Sequence, residues 1–369
     1  MSTNNSSNQA NLKVILAYLV VYIVWGSTFF FIEKALKSFP TFVLGSIRFL
    51  SAGPILLLYC YLKGYKIWDR KSAMEASLVG FLLLFIDMAA IIWSEQFISS
   101  AIVAIISAAT AIWFILFDRP KWKQNFGTPA IVAGVLLGFC GVFMLFAEQI
   151  FMAPDIHDTI SKEQKTIAMF VVTLGTIGWT IGSLASKYLQ ERKSDEQKSK
   201  DLNVIVKTAW QMITAGVAFT TVALLSGEYS SFDPSLVAKN DWFSITYLIF
   251  FGSILAFSCY IWLLQVRPAT EVSTYAYVNP IVALLLAQLF TSHEVTQIQI
   301  GGLLVVLFSV LLMNWNIYKN NRFINAYRRK KKLKTIKLKR LKTMAPKSSI
   351  PRIIEIADFI DKEEDRKKK

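Results

Sequence analysis

The chain has 369 residues, of which 54% are hydrophobic, and a formal net charge of +15. Its apolar residues fall in blocks of about 20, the length that crosses roughly 30 Å of hydrocarbon as a helix. Most blocks also lack the polar stripe of a soluble amphipathic helix, which excludes a soluble globular protein. The three cysteines are scattered through these blocks and show neither the spacing of a metal site nor a disulfide framework.

Ten apolar blocks follow one another along the chain, and each is predicted to be a transmembrane helix. They cover residues 14–36, 41–62, 73–93, 97–117 and 128–146, then 166–188, 204–226, 242–264, 269–290 and 296–317. We therefore predict an all-α polytopic membrane protein with ten transmembrane helices. The predicted organisation is a polar N-terminal segment (1–12), a first five-helix repeat (13–147), an outer linker (148–165), a second five-helix repeat (166–318) and a basic tail (319–369).

The two halves resemble each other in sequence at a nearly constant spacing of 169 and then 168 residues. The matched residues are Trp93 with Trp262, Gln96 with Gln265, Gly134 with Gly302, and Val142 with Val310. Because each half has an odd number of spans, the second half enters the membrane from the side opposite the first. The sequence therefore predicts two inverted five-helix repeats.

Positive charge in the loops predicts the orientation. Lys and Arg are concentrated in the even-numbered loops, for example at Lys63, Lys66, Arg70 and Lys71 in the second loop. Short loops rich in these residues stay preferentially in the cytoplasm. We expect a multi-pass protein of the plasma membrane, in a bacterium the inner membrane, with both termini in the cytoplasm.

Most of the net charge belongs to the C-terminal tail. Residues 319–369 contain 19 Lys and Arg and 6 Asp and Glu, a net charge of +13, and +15 less +13 leaves +2 for the rest of the chain. A basic segment beside a membrane is attracted to anionic lipid headgroups. We therefore expect anionic lipid, and no nucleic acid, as the partner of the tail.

Several short motifs occur together in the order and spacing of one known family. They are Trp25-Gly-Ser-Thr28, Arg48-Phe49 with Ala52, Asn279-Pro280, Glu294, and Gly302 with the stretch around Val310. With its two five-helix halves, the chain resembles the EamA-type transporters of the drug/metabolite transporter superfamily. The resemblance implies ten helices, an inverted repeat, and alternating access for small metabolites, often outward. The chain departs from the pattern at Thr110-Ala111, which lacks a proline opposite Asn279-Pro280.

Two ionisable residues lie deep in predicted spans, where a charge costs several kcal/mol unless it is paired or wet. Arg48 lies seven residues from the outer end of the second span and Asp87 six residues from the outer end of the third. Both are therefore about 10 Å deep at 1.5 Å per residue. With Glu271, near the cytoplasmic end of the ninth span, they are candidates for proton coupling or ion pairing. A structural ion pair and a substrate or proton role both stay open for Arg48 and Asp87.

Aromatic and hydroxyl residues predict the cavity. The first span has Trp25, Ser27 and Thr28 near its middle, and the sixth has Trp179 and Ser183. Such a set can stack against a flat substrate and form hydrogen bonds with it, whereas close helix packing through small residues is the alternative. The predicted substrate-binding residues are Trp25, Ser27, Thr28, Trp179, Ser183, Gln211, Tyr275, Tyr277 and Asn279.

These features favour a secondary transporter, a monomer or homodimer, that moves a small polar metabolite by alternating access. The metabolite is expected to be amino-acid-like or similar, and its movement to be export. An integral membrane enzyme acting on lipid-linked substrates, or a membrane scaffold that uses the tail, is the alternative. The only two histidines, His157 and His293, lie in predicted loops without metal spacing, and no phosphate-binding loop occurs, so we expect no enzyme, metal or cofactor.

Overall fold

The computed structural model describes residues 2–98, 100–151, 160–290 and 296–313, and every regular element in these ranges is helical. The helices are α1 (Ser2–Ala35), α2 (Thr41–Leu62), α3 (Arg70–Gly80), α4 (Asp87–Ser94), α5 (Ser100–Ala108), α6 (Thr110–Phe117), α7 (Trp122–Phe126), α8 (Pro129–Phe151), α9 (Lys162–Glu191), α10 (Asp195–Lys200), α11 (Val204–Leu225), α12 (Glu228–Ser231), α13 (Lys239–Tyr247), α14 (Ser258–Val266), α15 (Ala269–Val272), α16 (Tyr275–Phe290) and α17 (Gln297–Met313). Two wider π-helical stretches, Phe81–Ile86 and Leu248–Phe257, join α3 to α4 and α13 to α14, and single 3-10 turns occur at Arg119–Lys121 and Pro234–Leu236.

Within the described ranges, six continuous helices are long and apolar enough to cross a membrane. They are Leu12–Ala35, Thr41–Leu62, Arg70–Ser94, Lys162–Glu191, Val204–Leu225 and Lys239–Val266. These six match the first, second, third, sixth, seventh and eighth predicted spans, and they establish a multi-pass membrane protein.

The other four predicted spans are shorter or broken in the described ranges. Ile102–Phe117 meets Arg119–Phe126 at a bend of 68°, and counting that pair as one span would give seven. The apolar parts of α8 and α17 are Pro129–Met144 and Ile300–Met313. In the ninth predicted span, α15 ends at Val272 and α16 begins at Tyr275. The basic tail, both histidines and Glu294 lie outside the described residues.

Polar side chains fix the points at which three long helices begin. Ser161 accepts from the backbone N–H of Gln164, and the Gln164 side chain accepts from the backbone N–H of Ser161, a reciprocal capping box at the start of α9. Asp69 caps α3 by accepting from Ser72 N at 3.0 Å, and Asn203 caps α11 by accepting from Ile205 N at 2.9 Å. These caps satisfy N–H groups that have no partner inside the helix.

The main packing contacts join helices of the two predicted halves. Helix α2 packs on α11, α8 on α17, α1 on α16, and α4 on α9. Glycines make the closest approaches possible: a Cβ on Gly53 would lie 2.8 Å from Ile213 N, and one on Gly216 would lie 2.8 Å from Leu50 N. Any side chain at either position would therefore force α2 and α11 apart.

The α8–α17 contact uses glycine in the same way. A Cβ on Gly134 would lie 3.0 Å from the carbonyl oxygen of Ser309, and one on Gly141 would lie 3.0 Å from the carbonyl oxygen of Gly302. Gly134 and Gly302 are also one of the matched pairs in the sequence. Both contacts therefore hold backbones of the two halves together without an intervening side chain.

Candidate functional site

A cavity of about 70 Å³ lies among helices from both predicted halves. That volume is room for several water molecules. Its walls come from α1, α2, α4, α5, α6, α9, α16 and the two π-helical stretches with their flanks. We refer to it as the central cavity. Seven of the twelve predicted site residues line it, namely Trp25, Thr28, Arg48, Asp87, Trp179, Tyr275 and Asn279.

Four aromatic side chains form a cluster at one end of the central cavity. The ring centroid of Trp25 lies 5.3 Å from that of Trp179, 4.9 Å from that of Tyr260 and 5.1 Å from that of Tyr275. Tyr260 and Tyr275 meet edge to face at 5.5 Å. These separations are in the range that aromatic pairs prefer, so the four rings form one firm wall contributed by α1, α9, α14 and α16.

Hydrogen bonds hold the aromatic cluster in place. Trp179 Nε1 donates to the Tyr260 hydroxyl at 3.0 Å, and Ser183 Oγ lies 2.6 Å from the same hydroxyl. Trp25 Nε1 donates to the carbonyl oxygen of Gly252 at 3.0 Å. Each polar group buried with the rings therefore has a partner, as burial requires, and the rings present apolar faces to the cavity.

Arg48 extends from α2 toward the central cavity with most of its guanidinium unpaired. Its Nε donates to Ser253 Oγ at 2.8 Å, and its Cζ lies 4.9 Å from the ring centroid of Phe49. Nη1 is buried and forms no hydrogen bond within the described part of the chain. The residue is only 4% exposed. Ser253 and Phe49 thus fix the position of the guanidinium while its two terminal nitrogens remain available.

Asp87, the first residue of α4, lies in the wall of the same cavity and is also 4% exposed. No described residue forms an ion pair or hydrogen bond with its side chain. The structural ion pair between Arg48 and Asp87, one of the two alternatives from the sequence, therefore does not form in this structure. Helices α2 and α4 are in contact, but the two charges face the cavity separately.

Asn279 joins α16 to α1 at the edge of the central cavity. With its amide oriented so that Nδ2 faces acceptors, it donates to the carbonyl oxygens of Tyr22 (3.2 Å) and Tyr275 (3.1 Å). A Cβ on Gly26 would lie 2.9 Å from the carbonyl oxygen of Asn279. Asn279 therefore combines a place in the cavity wall with a role in helix packing.

Five predicted site residues do not line the central cavity. Ser27 Oγ donates to Val24 O at 2.6 Å and lies 2.7 Å from the Tyr247 hydroxyl, and Ser183 lies behind the aromatic cluster. Tyr277 donates to the carbonyl oxygen of Val135 at 2.9 Å, so it fastens α16 to α8. The remaining two are Glu271, whose Oε2 is buried without a hydrogen-bond partner among the described residues, and Gln211.

Gln211 lies instead in a second, smaller pocket of about 30 Å³. Its Oε1 is buried without a hydrogen bond to any described residue. Four other polar residues line the same pocket, namely Glu75, Gln190, Lys207 and Gln265. The pocket lies between α3, α9, α11 and α14.

A charged network lies beside this second pocket. Lys193 Nζ contacts Glu75 Oε2 at 2.7 Å and Asp201 Oδ2 at 2.9 Å, and Lys207 Nζ contacts the same oxygen of Asp201 at 2.5 Å. Burial raises the pKa of Asp201, but hydrogen bonds from Lys207 and Lys193 outweigh it, so the pKa lies below its ordinary value. Burial lowers the pKa of Lys193, but its bonds to Glu75 and Asp201 leave it raised. The network ties α3 and α11 to the segment between α9 and α11.

Sequence reasoning missed three residues of the site. Tyr260 and Gly252 lie in apolar stretches and had no polar neighbour at helical spacing to mark them. Ser253, which positions Arg48, is one hydroxyl among many in the predicted spans. The two π-helical stretches place Gly252, Ser253 and their neighbours against the cavity, and they begin 167 residues apart in sequence, at residues 81 and 248. Only that constant spacing was a usable signal.

The model of the EamA-like transporter family matches residues 12–147 and again residues 166–315. The chain belongs to the EamA-like transporter family. This confirms the resemblance seen in the motifs and identifies a membrane transporter. The family match also favours a transporter over an enzyme.

The EamA-like chain is similar to several curated bacterial proteins. The uncharacterized inner membrane transporter YedA of Escherichia coli strain K12 is 28% identical over 309 residues, which span 83% of this chain and 92% of that protein. Protein PecM of Dickeya dadantii is 24% identical, spanning 85% and 93%. The uncharacterized transporter YetK of Bacillus subtilis strain 168 is 22% identical, spanning 74% and 78%.

A solved crystal structure shares the fold. It superposes with a TM-score of 0.64 at 13% sequence identity, and the match covers 84% of this chain and 98% of that one.

Proposed function

We propose that this EamA-like protein is a secondary transporter that exports a small polar metabolite, amino-acid-like or similar, across the plasma membrane by alternating access. The central cavity is the observation that carries the proposal. It has an aromatic wall, two unpaired buried charges, and contributions from helices of both predicted halves. Trp25, Trp179 and Tyr275 would contact the substrate, in agreement with the mostly apolar lining and few placed polar groups of small-molecule sites.

The proposed architecture is ten spans in two inverted five-helix repeats, divided at residues 13–147 and 166–318. The spacing of 167 residues between the starts of the two π-helical stretches supports it, since matched residues in the sequence lie 168 or 169 apart. The glycine contacts support it too. Gly53 with Ile213 and Leu50 with Gly216 are the same contact with the halves exchanged, because both pairs of counterparts differ by 163 in number.

Alternating access follows from this exchange of halves. Arg48 lies seven residues after Thr41, the start of α2, and Gln211 lies seven residues after Val204, the start of α11. In an inverted repeat these equivalent positions face opposite sides of the membrane. The central cavity and the smaller pocket at Gln211 would then be the two alternating pathways, and the network around Asp201 would close the second pathway in this conformation.

The proposed orientation has both termini in the cytoplasm, because Lys and Arg are concentrated in the even-numbered loops. The tail, residues 319–369, would bind anionic headgroups of the inner leaflet. Reporter fusions after residue 313 test the orientation, and vesicles with and without anionic lipid test the tail. A fusion that is active only outside the cytoplasm would contradict the orientation.

The function is tested by comparing metabolites inside and outside cells that overexpress the protein. The control is a full-length variant in which Trp25 and Trp179 are both alanine, expressed to the same level in the membrane. We expect one or a few polar metabolites to accumulate outside only with the wild type, together with resistance to their toxic analogues. Equal metabolite profiles in both strains, and no flux of any metabolite in proteoliposomes, would contradict transport.

A further inference from the structure

The central cavity contains two opposite charges that do not neutralise each other. Arg48 and Asp87 are each 4% exposed and both lie in its wall. Arg48 uses only Nε, toward Ser253 Oγ, and Asp87 forms no hydrogen bond or ion pair with the part of the chain that the structure describes. Ser107, in the same wall, also has a buried Oγ without a partner there.

Unpaired buried charges are costly, because the protein interior replaces little of the hydration that each charge loses. Two such charges in one wall, each held by packing and neither paired with the other, need compensation from a molecule in the cavity. The two free nitrogens of Arg48 form a planar fork, which matches the two oxygens of a carboxylate. The carboxylate of Asp87 can accept hydrogen bonds only, which suits an ammonium group.

We propose that the central cavity binds a zwitterion, with the carboxylate of the substrate on Arg48 and its ammonium group on Asp87. This inference rests on the proposed transport function and narrows the small polar metabolite to a compound with both charges. Trp25 and Trp179 contact the remainder of the substrate and place the ammonium group near aromatic faces, which also attract cations. Ser107 supplies a further hydrogen bond.

A competing arrangement would place a proton on Asp87 and a simple anion on Arg48. The two arrangements differ in which ligands stabilise the folded protein. A zwitterion site gains from ligands with both charges and little from ligands with one. A site for an anion and a proton gains equally from zwitterions and from carboxylates without an amine, and more strongly as the pH falls.

The test uses the purified full-length protein in detergent and three ligand pools of equal total concentration. One pool contains uncharged-side-chain L-amino acids, the second the corresponding amines without the carboxylate, and the third the corresponding carboxylates without the amine. Thermal unfolding with each pool gives a shift in Tm, because a ligand that binds only the folded state stabilises it. The same pools are then offered to proteoliposomes for flux.

We expect only the amino-acid pool to raise Tm. Arg48→Gln and Asp87→Asn should each weaken its apparent affinity at least tenfold, and Arg48→Lys should weaken it less than Arg48→Gln. Arg192→Gln and Asp233→Asn, which remove exposed charges outside the cavity, should leave the affinity unchanged. The unliganded Tm of each variant reports whether it folds, so a variant that misfolds is replaced by its Lys or Glu counterpart.

Three outcomes would overturn the proposal: a carboxylate or amine pool as effective as the amino-acid pool, no effect of any pool, or unchanged affinity in both cavity variants. Transport would still stand if proteoliposomes carried uncharged or purely anionic compounds. Conversely, amino-acid binding without flux of any compound would preserve the zwitterion site and contradict the transporter. The binding and flux measurements therefore separate the two proposals.

Discussion

The indole Nε1 of Trp25 donates a 3.0 Å hydrogen bond to the backbone carbonyl oxygen of Gly252, 227 residues later in the chain. The bond joins α1 to the second π-helical stretch beside the central cavity. Gly252 allows the close approach, since a Cβ there would lie 3.1 Å from Thr28 Cγ2. The residue predicted to stack on substrate is therefore also the residue that holds the cavity wall together.

Trp25→Phe keeps an aromatic ring but leaves the carbonyl oxygen of Gly252 without its donor. We expect the free energy of unfolding to fall by about 1–3 kcal/mol, the cost of a buried group left unpaired, and flux to fall with it. Thermal unfolding in detergent and flux in proteoliposomes measure the two effects. Trp93→Phe is the matched control, because the indole N–H of Trp93 forms no hydrogen bond with a described residue. Equal losses in both variants would show that ring size, and not the hydrogen bond, matters.

Tyr260→Phe removes the hydroxyl that both Trp179 and Ser183 contact. We expect a loss of stability and of flux, because Trp179 Nε1 and Ser183 Oγ each lose a partner. In a double-mutant cycle with Ser183→Ala, the two changes should couple by about 0.5–3 kcal/mol, the range for contacting residues. Additive losses in the cycle would contradict the hydrogen-bonded cluster.

Gly252→Ala adds a methyl group at the cavity wall. That group would lie 3.1 Å from Thr28 Cγ2 and 3.3 Å from Arg48 Nη2, tighter than ordinary carbon contacts. We expect flux to fall several-fold while the protein still folds, because alanine favours the helix more than glycine does. Gly301→Ala is the control, since only Met144 Cε, at 3.5 Å, lies near its added methyl. Full flux in Gly252→Ala would show that the wall has room to spare.

Asp201→Asn should change the pH dependence of stability. The pKa of Asp201 lies below its ordinary value in the folded state, so the stabilisation is complete above the ordinary Asp pKa of about 3.9 and is lost as the pH falls through the lower folded value. Tm of the wild type should therefore exceed that of the variant by a constant amount at neutral pH. The difference should shrink below about pH 4. Glu163→Gln, at the exposed start of α9, should differ little from wild type, and a gap for Asp201→Asn that persists in acid would contradict the ionic contribution.

The helical spans were predictable because each depends on a local property, the length of an apolar block. Six predicted spans agree with continuous helices, for example 41–62 with α2. The ninth predicted span, 269–290, was read as one helix, whereas the structure has a break between Val272 and Tyr275. Hydropathy averages over a window and cannot detect a two-residue interruption.

Seven of the predicted site residues line one cavity, since polar and aromatic residues at mid-span are uncommon and easy to find. Tyr277 was selected in the same way, yet its hydroxyl bonds Val135 O on the opposite side of α16. Residues two apart on a helix point in different directions, so proximity to Tyr275 in sequence was no guide to the cavity.

By itself, the sequence determined the membrane class, the positions of the long helices, the internal repeat and the motifs of the family, because all of these are read from residues near one another or at a fixed spacing. Only the tertiary structure decided that Arg48 and Asp87 remain unpaired, that Ser253 holds Arg48, and that Tyr260 completes the aromatic wall. Those facts depend on how side chains from distant helices meet. The distance between two such side chains is set by the packing of the helices, and no local pattern encodes it.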